Sequence, residues 1–554
     1  MLEILGEVVY KSVAYRRVAD AVERYPDDVA GLFAGGEPPK IPGAGAALEA
    51  KIAELAETGR LDYYERLRTQ VPDGLLEMLH IQGVGPRTVK LLFEQLGIDS
   101  VDALRAAASD GQLRGLKGLS ARTEQSILEG IARLDTTGQR LLLHEADRLV
   151  GDLLDRLRDI QGVVRNEAAG SLRRRRATIG DLDILAATDE PATLIAALDG
   201  LETVDRILSA GTDKTSIVLR EGPQVDLMVC PPAAWGTHLV HFTGSRDHNV
   251  ALRGRALDRG LSLSEKGWKV VETGELLLDA TEEAAYARLE LPWIPPELRE
   301  NTGEVEAAVA GQLPDLVTAD QLRGDTHVHS DWTDGVDSIE VMARAARDLG
   351  RSWMVLTDHS PSLGITRGLS PDRVEEQRAE IARLNAELAP FRILHGTEME
   401  IRADGALDYP DQLLARFDVV VASVHTARGQ SSEQLTRRTL AAIGNPHVDV
   451  IAHPTGRIVN RRDPISLDWP RVFTAAAENG TMLEINGSPR LDLDDVLARA
   501  AGEAGVRLTL ASDAHRTEEL DQLGYAVSMA RRAWLTPHQV AGTRSADDLL
   551  DLLR

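Results

Sequence analysis

Two histidines separated by one residue, His327 and His329, stand in the segment THVHSDWTDG at positions 326–335. Alternate residues of a β-strand point to the same side, so the two imidazoles would project together from a strand. Two neutral imidazoles with Asp334 close by form a donor set that suits a metal ion. The alternative is a pair of exposed histidines in a surface turn, and the motif by itself does not decide between them.

A second candidate site is built from carboxylates. Asp181 and Asp183 alternate in GDLDILAAT, and Asp226 lies in the separate apolar segment QVDLMVC. Paired carboxylates repel each other unless a cation neutralises them, and their hard oxygens suit Mg²⁺. Two ions held by three carboxylates fit an in-line displacement at phosphorus. The alternative is a half-buried strand that binds nothing.

Upstream of these carboxylates, Gly170 and Ser171 stand at a strand-to-turn junction and offer amide and hydroxyl donors. Arg174 in the following RRRR run could neutralise a triphosphate. The alternative is that the arginine run is a solvated turn.

The elements that must position the histidines are short apolar runs after residue 320 that alternate with helical segments. Nine of the 14 histidines lie in 321–554, and nearly every run ends in His, Asp or Glu. The runs are WMVLTDH, RILHGTE, VVVASVH, DVIAHP, TMLEIN and RLTLASDAH. Repeated strand-then-helix order predicts a parallel β/α barrel or an open α/β sheet, with the site at the strand C-termini.

The middle of the chain, 131–320, has a different pattern. A helix, QRLLLHEADRLVGDLLDRLRDI, leads into the strand-like segments VVRNEAAGSL, DLDILAAT, TDKTSIVL and QVDLMVC. This order predicts a small α/β domain with a mostly antiparallel sheet. The proline-rich stretch at 291–317 precedes the histidine-rich part, which places the main division of the chain near residue 320.

The first 130 residues repeat a glycine turn that opens an amphipathic helix. The glycine pairs are Gly43 with Gly45 and Gly83 with Gly85, and LKGLSARTEQ is a degenerate third copy. Free backbone N–H groups at such a turn suit a nucleic-acid phosphate, although glycines also serve plain helix packing. The repetition resembles helix-hairpin-helix motifs, which implies binding to the DNA backbone without sequence readout.

Composition limits the class of protein. The 554 residues are enough for about three to five domains, and 43% hydrophobic with 27% charged residues is typical of a globular chain. No apolar window is long enough to predict a membrane span. The single cysteine, Cys230, excludes an internal disulfide and predicts a protein of the reducing cytoplasm. The net charge of −25 argues against coating nucleic acid through bulk charge.

Taken in order, GSLRR, GDLDIL, VDLMV and FTGSRDHNVALR resemble the nucleotidyltransferase core of family X DNA polymerases, over roughly residues 10–300. Three positions depart from that pattern: Arg175, Ala177 and His241. By position, the resemblance implies that Asp181, Asp183 and Asp226 bind metal ions and act in catalysis. It implies that Arg253 contacts the template strand and that the incoming nucleotide is bound by Gly170, Ser171, Arg174, Gly180, Phe242, Gly244 and Asn249.

The C-terminal third resembles a PHP (polymerase and histidinol phosphatase) domain along its length. The resemblance implies a distorted seven-stranded β/α barrel with up to three Mn²⁺ or Zn²⁺ ions and phosphoester hydrolysis. The implied ligands are His327, His329, Glu398 and Asp513 for one ion, Glu398 with His425 and His453 for a second, and Asp334, His359 and His515 for a third.

Lys51 matches by spacing the Schiff-base lysine with which some family X members release 5′-deoxyribose phosphate. A nucleophilic lysine must be partly deprotonated, which needs burial or cationic neighbours. The alternative, a solvated or phosphate-contacting lysine, is the reading that the sequence favours.

The prediction is a multidomain α plus α/β chain: helical residues 1–60, helix-hairpin-helix fingers 61–134, palm 135–235, thumb 236–300, linker 301–322 and PHP barrel 323–554. The predicted function is a family X DNA polymerase for short gaps, using Mg²⁺ or Mn²⁺, with a metal-dependent 3′-5′ exonuclease in the PHP domain. The predicted partners are gapped or primed duplex DNA and deoxynucleoside triphosphates, with a monomeric protein. The alternatives are a phosphatase for small phosphate monoesters with a non-catalytic DNA-binding front half, and a non-catalytic repair scaffold.

Overall fold

The computed structural model of the chain contains two compact units, Met1–Gln139 and Arg140–Arg554. The principal division therefore falls at 139/140, before the palm, and not near residue 320. The structure describes 1–5, 44–58, 60–81, 84–116, 119–120, 140–220, 223–363 and 366–553, together with single residues between 11 and 41 and between 123 and 131. None of the described helices is long and apolar enough to cross a membrane.

The described part of the first unit is helical. Its helices are α1 Leu2–Leu5, α2 Ala46–Thr58, α3 Asp62–Gln70, α4 Asp73–Glu77, α5 Pro86–Leu96 and α6 Val101–Ser109. Local signals set their ends: α5 begins with a proline and ends at Gly97 with φ +66°, and the Ser100 hydroxyl accepts from the Ala103 amide at the start of α6. One core joins α1, α4, α5 and α6 through residues such as Leu75, Leu92 and Leu104, whereas α2 packs in a separate cluster through Leu48 and Ile52.

The second unit begins with a palm-like α/β layer. Its elements are β1 Leu141–Leu142, α7 Leu143–Arg158, β2 Arg165–Ala168, α8 Gly170–Arg173, β3 Thr178–Ile179, β4 Leu182–Ala187, α9 Pro191–Leu198, β5 Val204–Ala210, β6 Lys214–Leu219 and β7 Gln224–Cys230. Five strands form a sheet in the order β2-β4-β7-β6-β5, in which β4 and β7 are parallel and the other pairs are antiparallel. The predicted mostly antiparallel sheet is present, with β5 as an additional edge strand.

The segment that follows is helical with a small antiparallel sheet. Its elements are α10 Trp235–Thr243, α11 Arg246–Leu257, β8 Leu261–Ser264, β9 Gly267–Val270, β10 Leu276–Leu277, α12 Glu282–Ala287 and α13 Glu304–Ala310. The predicted linker 301–322 contains the helix α13, which packs against α11: the buried Glu304 carboxylate of α13 lies 2.6 Å from Nδ1 of buried His248 in α11.

The C-terminal part is the predicted β/α barrel. Its strands are β11 Gly324–Val328, β12 Trp353–Leu356, β13 Arg392–Glu400, β14 Val419–Ser423, β15 Val450–Ile451, β16 Met482–Asn486 and β17 Leu508–Ala511, parallel and in sequential order. The bridge Val328–Ala514 brings the first and last strands together, so the barrel is nearly closed. Each strand is buried along almost its whole length, as expected for a parallel sheet covered on both faces.

Helices cover the outside of the barrel. They are α14 Ile339–Asp348, α15 Pro371–Leu388, α16 Asp411–Leu414, α17 Ser432–Ile443, α18 Trp469–Asn479, α19 Asp495–Glu503, α20 Leu523–Arg532 and α21 Ala546–Leu553. Short 3-10 helices span Met78–His80, Leu113–Gly115, Pro232–Ala234, Pro296–Leu298, Ala319–Gln321, Thr517–Gln522, Pro537–Gln539 and Ala541–Thr543.

The palm and the barrel share one hydrophobic core, in which palm residues such as Leu143 cluster with barrel residues such as Ala526. Charged contacts from α20 reinforce this junction. The contacts are Arg531 Nε to Glu297 at 2.6 Å, Arg532 Nη1 to Glu300 at 3.0 Å, and Arg175 Nε to Ser528 Oγ at 3.1 Å. Arg175, one of the three departures from the family X pattern, therefore contacts the barrel.

Asp449 provides a test of the barrel's energetics. Its carboxylate accepts a hydrogen bond from the Val420 amide at 2.7 Å, and burial raises its pKa to about 7. Because this folded-state pKa lies above the unfolded value of about 4, the penalty for ionising Asp449 is absent only below about pH 4, grows as the pH rises, and is complete above about pH 7, so it is smaller at pH 5 than at pH 8. Asp449→Asn keeps the acceptor, so we expect it to raise the free energy of unfolding by about 2 kcal/mol at pH 8.

The measurement is urea unfolding of the parent and the variant at pH 5 and pH 8, with exposed Asp348→Asn as the control. A gain of equal size at both pH values would contradict the proposed charge penalty.

Candidate active sites

The barrel brings all nine sequence-predicted PHP side chains together at the C-terminal ends of its strands. His327 and His329 end β11 with Asp334 in the loop beyond, His359 follows β12, Glu398 lies in β13, His425 follows β14, His453 follows β15, and Asp513 and His515 follow β17. These positions are those at which barrel enzymes build their sites.

Four side-chain atoms converge on one point. His327 Nε2 and His329 Nε2 are 3.0 Å apart, an arrangement that places two acceptor-capable nitrogens face to face. Glu398 Oε2 lies 3.5 Å and 3.6 Å from these two nitrogens, and Asp513 Oδ1 lies 3.7 Å and 3.4 Å from them. The spacing fits two imidazoles and two carboxylates around a single cation.

Glu398 also serves a second group. Its other oxygen, Oε1, is 2.8 Å from His453 Nε2 and 3.2 Å from His425 Nε2. One buried carboxylate thus joins two groups of candidate ligands, as the resemblance to PHP domains implies.

The third group surrounds Asp334. Its Oδ2 is 3.3 Å from His359 Nε2 and 3.5 Å from His515 Nε2. His329 joins this group through its second nitrogen, Nδ1, which lies 3.8 Å from Asp334 Oδ1. His329 therefore belongs to two groups, whereas the sequence assigned it to one.

Orphaned polar atoms show that these residues fit metal ions. His329 Nδ1 and Asp334 Oδ1, which lie 3.8 Å apart in the third group, are buried and have no hydrogen-bond partner among the described residues. Leaving such atoms unpaired is costly, and a cation would supply the missing partner for lone pairs. Mixed imidazole and carboxylate donors favour a transition metal over Mg²⁺.

The electrostatics of the cluster are dominated by burial and close charges. Burial lowers the pKa of His329 to about 3, with further lowering by the neighbouring histidines, so this imidazole is neutral and able to ligate. Burial alone would also lower the pKa of His359, but Glu398 and Asp334 raise it to about 10. A divalent cation would compete with the proton of His359 for the same carboxylates.

Two glutamates that sequence analysis did not assign orient the candidate ligands. Glu484 on β16 lies 2.7 Å from His327 Nδ1, and Glu400 at the end of β13 lies 3.0 Å from His425 Nδ1. Carboxylates in this position fix the ring orientation of ligating histidines. Their signal in the sequence is a glutamate inside an apolar strand, in LEIN and in TEME.

Glu484→Gln tests this orienting role. The amide retains the shape but removes the charge that holds His327, so we expect a loss of about 10- to 100-fold in metal affinity. Titration of Mn²⁺ binding by calorimetry measures this, with exposed Glu478→Gln on α18 as the matched control. Unchanged Mn²⁺ affinity in Glu484→Gln would show that His327 is positioned without it.

The palm places its aspartates on neighbouring strands. Asp183 on β4 is directly opposite Asp226 on β7 in the parallel register, and Asp181 immediately precedes β4. Gly170 lies against Asp183: its φ is +57°, and an added Cβ would lie 2.4 Å from Asp183 Oδ2. Only glycine fits there, so the predicted nucleotide-binding turn is adjacent to the carboxylates.

The carboxylates of the palm differ in charge state. Burial, with the charges of Asp181 and Asp226, raises the pKa of Asp183 to about 6, a penalty that a cation would relieve. Asp226 accepts from Lys214 Nζ at 2.7 Å and from Ser216 Oγ at 2.6 Å, and these contacts outweigh burial and lower its pKa. With Asp226 held in this way, the three aspartates do not form a compact ligand group of the kind that the described barrel residues form.

The predicted triphosphate contact Arg174 is already engaged. Its Nε lies 3.1 Å from Glu300 Oε1 and its Nη1 donates to the Thr243 carbonyl at 2.6 Å. Glu300 also pairs with Arg532 of α20 at 3.0 Å. Ser171 follows Gly170 in α8, while Gly180 is exposed beside the guanidinium of Arg140.

The predicted nucleotide contacts of the next segment lie near one another. Phe242 packs edge-on to His241 with ring centroids 5.0 Å apart, and Gly244 has φ +70° beside the Arg174 guanidinium. Asn249 Nδ2 donates to the His241 carbonyl at 2.8 Å, while its Oδ1 is buried without a described partner. The predicted template contact, Arg253, is exposed on α11.

In the first unit, Gly45 precedes α2 and Gly85 caps α5, and both face open space where a Cβ would stand. Gly43 and Gly83 lie outside the described residues. Lys51 on α2 lies over the Tyr63 ring, 4.9 Å from its centroid, and its Nζ donates to the Ala47 carbonyl at 3.3 Å. A role for Lys51 as a nucleophile stays a prediction.

Models of known families match four parts of the chain. A helix-hairpin-helix domain matches residues 1–61, a SAM-like helix-hairpin-helix tandem 75–133, the DNA polymerase beta thumb 238–300 and the PHP domain 325–487.

Two kinds of relative are similar to the chain. A protein of Bacillus subtilis (strain 168), "DNA polymerase/3'-5' exonuclease PolX", is 36% identical over 556 residues, which cover 100% of this chain and 97% of that protein. Proteins described as probable phosphatases, from Thermoanaerobacter sp. (strain X514) and Syntrophotalea carbinolica, are each 30% identical but cover only 40% and 41% of this chain. The phosphatase relatives therefore match only the PHP part of the chain and not its front half. Because the similarity to the Bacillus subtilis protein covers the whole chain, the chain belongs to the PolX family of DNA polymerases with a C-terminal PHP domain.

Proposed function

We propose that the chain fills short gaps in DNA with its palm and shortens 3′ ends with its barrel. The observation that carries this proposal is that one chain contains two separate groups of candidate metal ligands: the aspartates of the palm, and the nine histidines and carboxylates of the barrel. The 36% identity to a DNA polymerase/3'-5' exonuclease along the whole chain supports it.

In the palm, the primer 3′ oxygen would attack the α-phosphorus of a deoxynucleoside triphosphate, and pyrophosphate would leave. Bound divalent cations supply charge neutralisation at phosphorus and lower the pKa of the attacking hydroxyl. Asp226, kept ionised by Lys214 and Ser216, would orient that hydroxyl. Asp181 and Asp183 would hold the cations, Mg²⁺ or Mn²⁺, and Arg174 would exchange Glu300 for the triphosphate.

In the barrel, water would attack the terminal phosphodiester of a strand and release one nucleotide. Bound Mn²⁺ or Zn²⁺ supplies Lewis acidity and a nucleophile at neutral pH. The residues of the barrel would position these ions. Glu398 joins two groups of candidate ligands, and Glu484 and Glu400 fix the ring orientations of His327 and His425. His515, in the third group, is partly exposed. Burial would lower the pKa of His515, but Asp334 raises it to about 8, so a bound cation would have to displace a proton from this imidazole.

One assay tests both activities on the same strand. A 5′-labelled primer on a one-nucleotide-gapped duplex is incubated with Mn²⁺, with and without deoxynucleotides, and a denaturing gel reads extension and shortening. We expect Asp181→Ala/Asp183→Ala to lose extension only and His327→Ala/His329→Ala to lose shortening only. Absence of extension by the parent protein would overturn the polymerase proposal, and loss of both activities in either variant would overturn the independence of the two sites.

The similarity to described phosphatases favours a second candidate activity for the barrel, hydrolysis of phosphate monoesters at 3′ ends. A primer ending in 3′-phosphate distinguishes it, because monoester hydrolysis changes the gel mobility without shortening the strand. We propose further that the protein acts as a monomer on chromosomal DNA in the cytoplasm, with gapped duplexes preferred over simple primer ends.

A further inference from the structure

Three arginines, Arg428, Arg462 and Arg490, gather beside the barrel's ligand cluster. Arg428 and Arg462 meet at Gly456: Arg428 Nη1 packs against its backbone, and Arg462 Nε donates to its carbonyl at 2.9 Å. Arg490 Nε lies 3.8 Å from Asp513 Oδ2, the oxygen of that carboxylate that does not face the paired histidines. The cationic cluster therefore directly adjoins one group of candidate metal ligands.

The three guanidiniums are close enough to disfavour one another's charge. Burial and the neighbouring arginines lower the pKa of both Arg428 and Arg462. Asp492 is the carboxylate that opposes this effect, but burial raises its own pKa. In a chain with a net charge of −25, a group of three arginines beside only two carboxylates, Asp492 and Asp513, is a local excess of positive charge.

Unsatisfied polar atoms accompany this charge. Arg428 Nη2 donates to the carbonyls of Thr455 and Asp463 at 3.3 Å and 3.2 Å, but its Nη1 is buried without a hydrogen-bond partner among the described residues. The buried Ser488 hydroxyl, two residues before Arg490, likewise has no described partner. Buried donors of this kind are costly unless a ligand supplies acceptors.

There is room for a ligand at this place. Residues 457–464, the loop that carries Arg462, line an open cavity of about 460 Å³, so the room lies on the Arg462 side of the cluster and neither Arg428 nor Arg490 lines it. Guanidinium groups match phosphate oxygens in geometry and charge, so a phosphate is the anion that this set of donors would recognise.

We propose that Arg428, Arg462 and Arg490 bind the internucleotide phosphate on the 5′ side of the bond that the barrel cuts. The assignment rests on the proposed exonuclease, because the terminal nucleotide of a 3′ end carries no phosphate beyond the scissile one. The neighbouring phosphodiester must therefore belong to the retained strand. Its capture would hold the strand in register with the metal ligands after each cut.

The experiment uses the full chain, Mn²⁺ and 5′-labelled single strands that differ at one linkage. In the modified strand a neutral methylphosphonate replaces the second internucleotide phosphate from the 3′ end. We expect removal of the terminal nucleotide by the parent to slow by about 10- to 100-fold on the modified strand. Arg462→Ala, Arg428→Gln and Arg490→Gln should each slow cutting of the native strand and be less sensitive to the neutral linkage.

Exposed Arg437→Ala, on α17, is the matched control and should behave as the parent. Hydrolysis of bis(p-nitrophenyl) phosphate, which has a single phosphate, reports on the metal site alone and should be unchanged in Arg428→Gln and Arg462→Ala. Equal rates on the two strands by the parent would overturn the inference while leaving the exonuclease in place. Loss of bis(p-nitrophenyl) phosphate hydrolysis in Arg428→Gln and Arg462→Ala would overturn it in favour of support for the metal ligands. A parent that shortens no strand would overturn the exonuclease itself.

Discussion

Replacement of Glu398 by glutamine is expected to reduce strand shortening by about 10³-fold, which corresponds to about 4 kcal/mol of transition-state stabilisation. The reason is that this one carboxylate joins two groups of ligands, with His327 and His329 near one oxygen and His425 and His453 near the other. The amide keeps the volume but removes the negative charge from a fully buried position among imidazoles.

Steady-state shortening of a labelled strand in Mn²⁺ measures this effect, and the extension activity of the same preparation reports on folding. Asp404→Asn, exposed in the turn after β13, is the matched control and should shorten the strand at the parent rate. Retention of more than a tenth of the parent activity in Glu398→Gln would show that the two groups do not depend on a shared carboxylate.

Asp183→Asn is expected to have an effect of similar size, about 10³-fold, on extension and none on shortening. Asp183 is the carboxylate of the palm whose pKa burial and its two acidic neighbours raise most, to about 6, so a bound cation would stabilise its negative charge. An asparagine has nearly the same shape and fits beside Gly170, but it is neutral and would not attract a cation.

Single-turnover extension on a gapped duplex measures the chemical step without product release. Asp189→Asn, exposed just after β4, is the control with the same change of charge. Equal loss of extension in both variants would contradict a specific role for Asp183.

The barrel and its candidate ligands were predictable because every strand except β16 is an apolar run that contains a candidate ligand or is followed closely by one. The order of those runs predicts the parallel topology, and the ends of the strands predict where the side chains meet. The edge strand β5 was missed because most of its residues are exposed and it has no apolar run.

Contacts between distant segments could not be predicted. The pairing of Lys214 with Asp226 depends on the antiparallel register of β6 with β7, and that of Arg174 with Glu300 joins residues 126 apart. The double membership of His329 depends on which ring nitrogen faces which carboxylate, a matter of side-chain rotation that spacing does not determine.

The junction at α20 bears on how this enzyme can be dissected. Arg532 is buried between Glu300 and Asp495, and the carbonyl of Arg174 accepts from it at 2.7 Å. Cutting the gene near codon 320 would remove Arg532 and expose an apolar surface, and Glu300 would be left with the arginines of the palm alone. A truncated polymerase is therefore a different catalyst from the palm of the intact protein, and point substitutions, not deletions, are the sound way to assign an activity to either half.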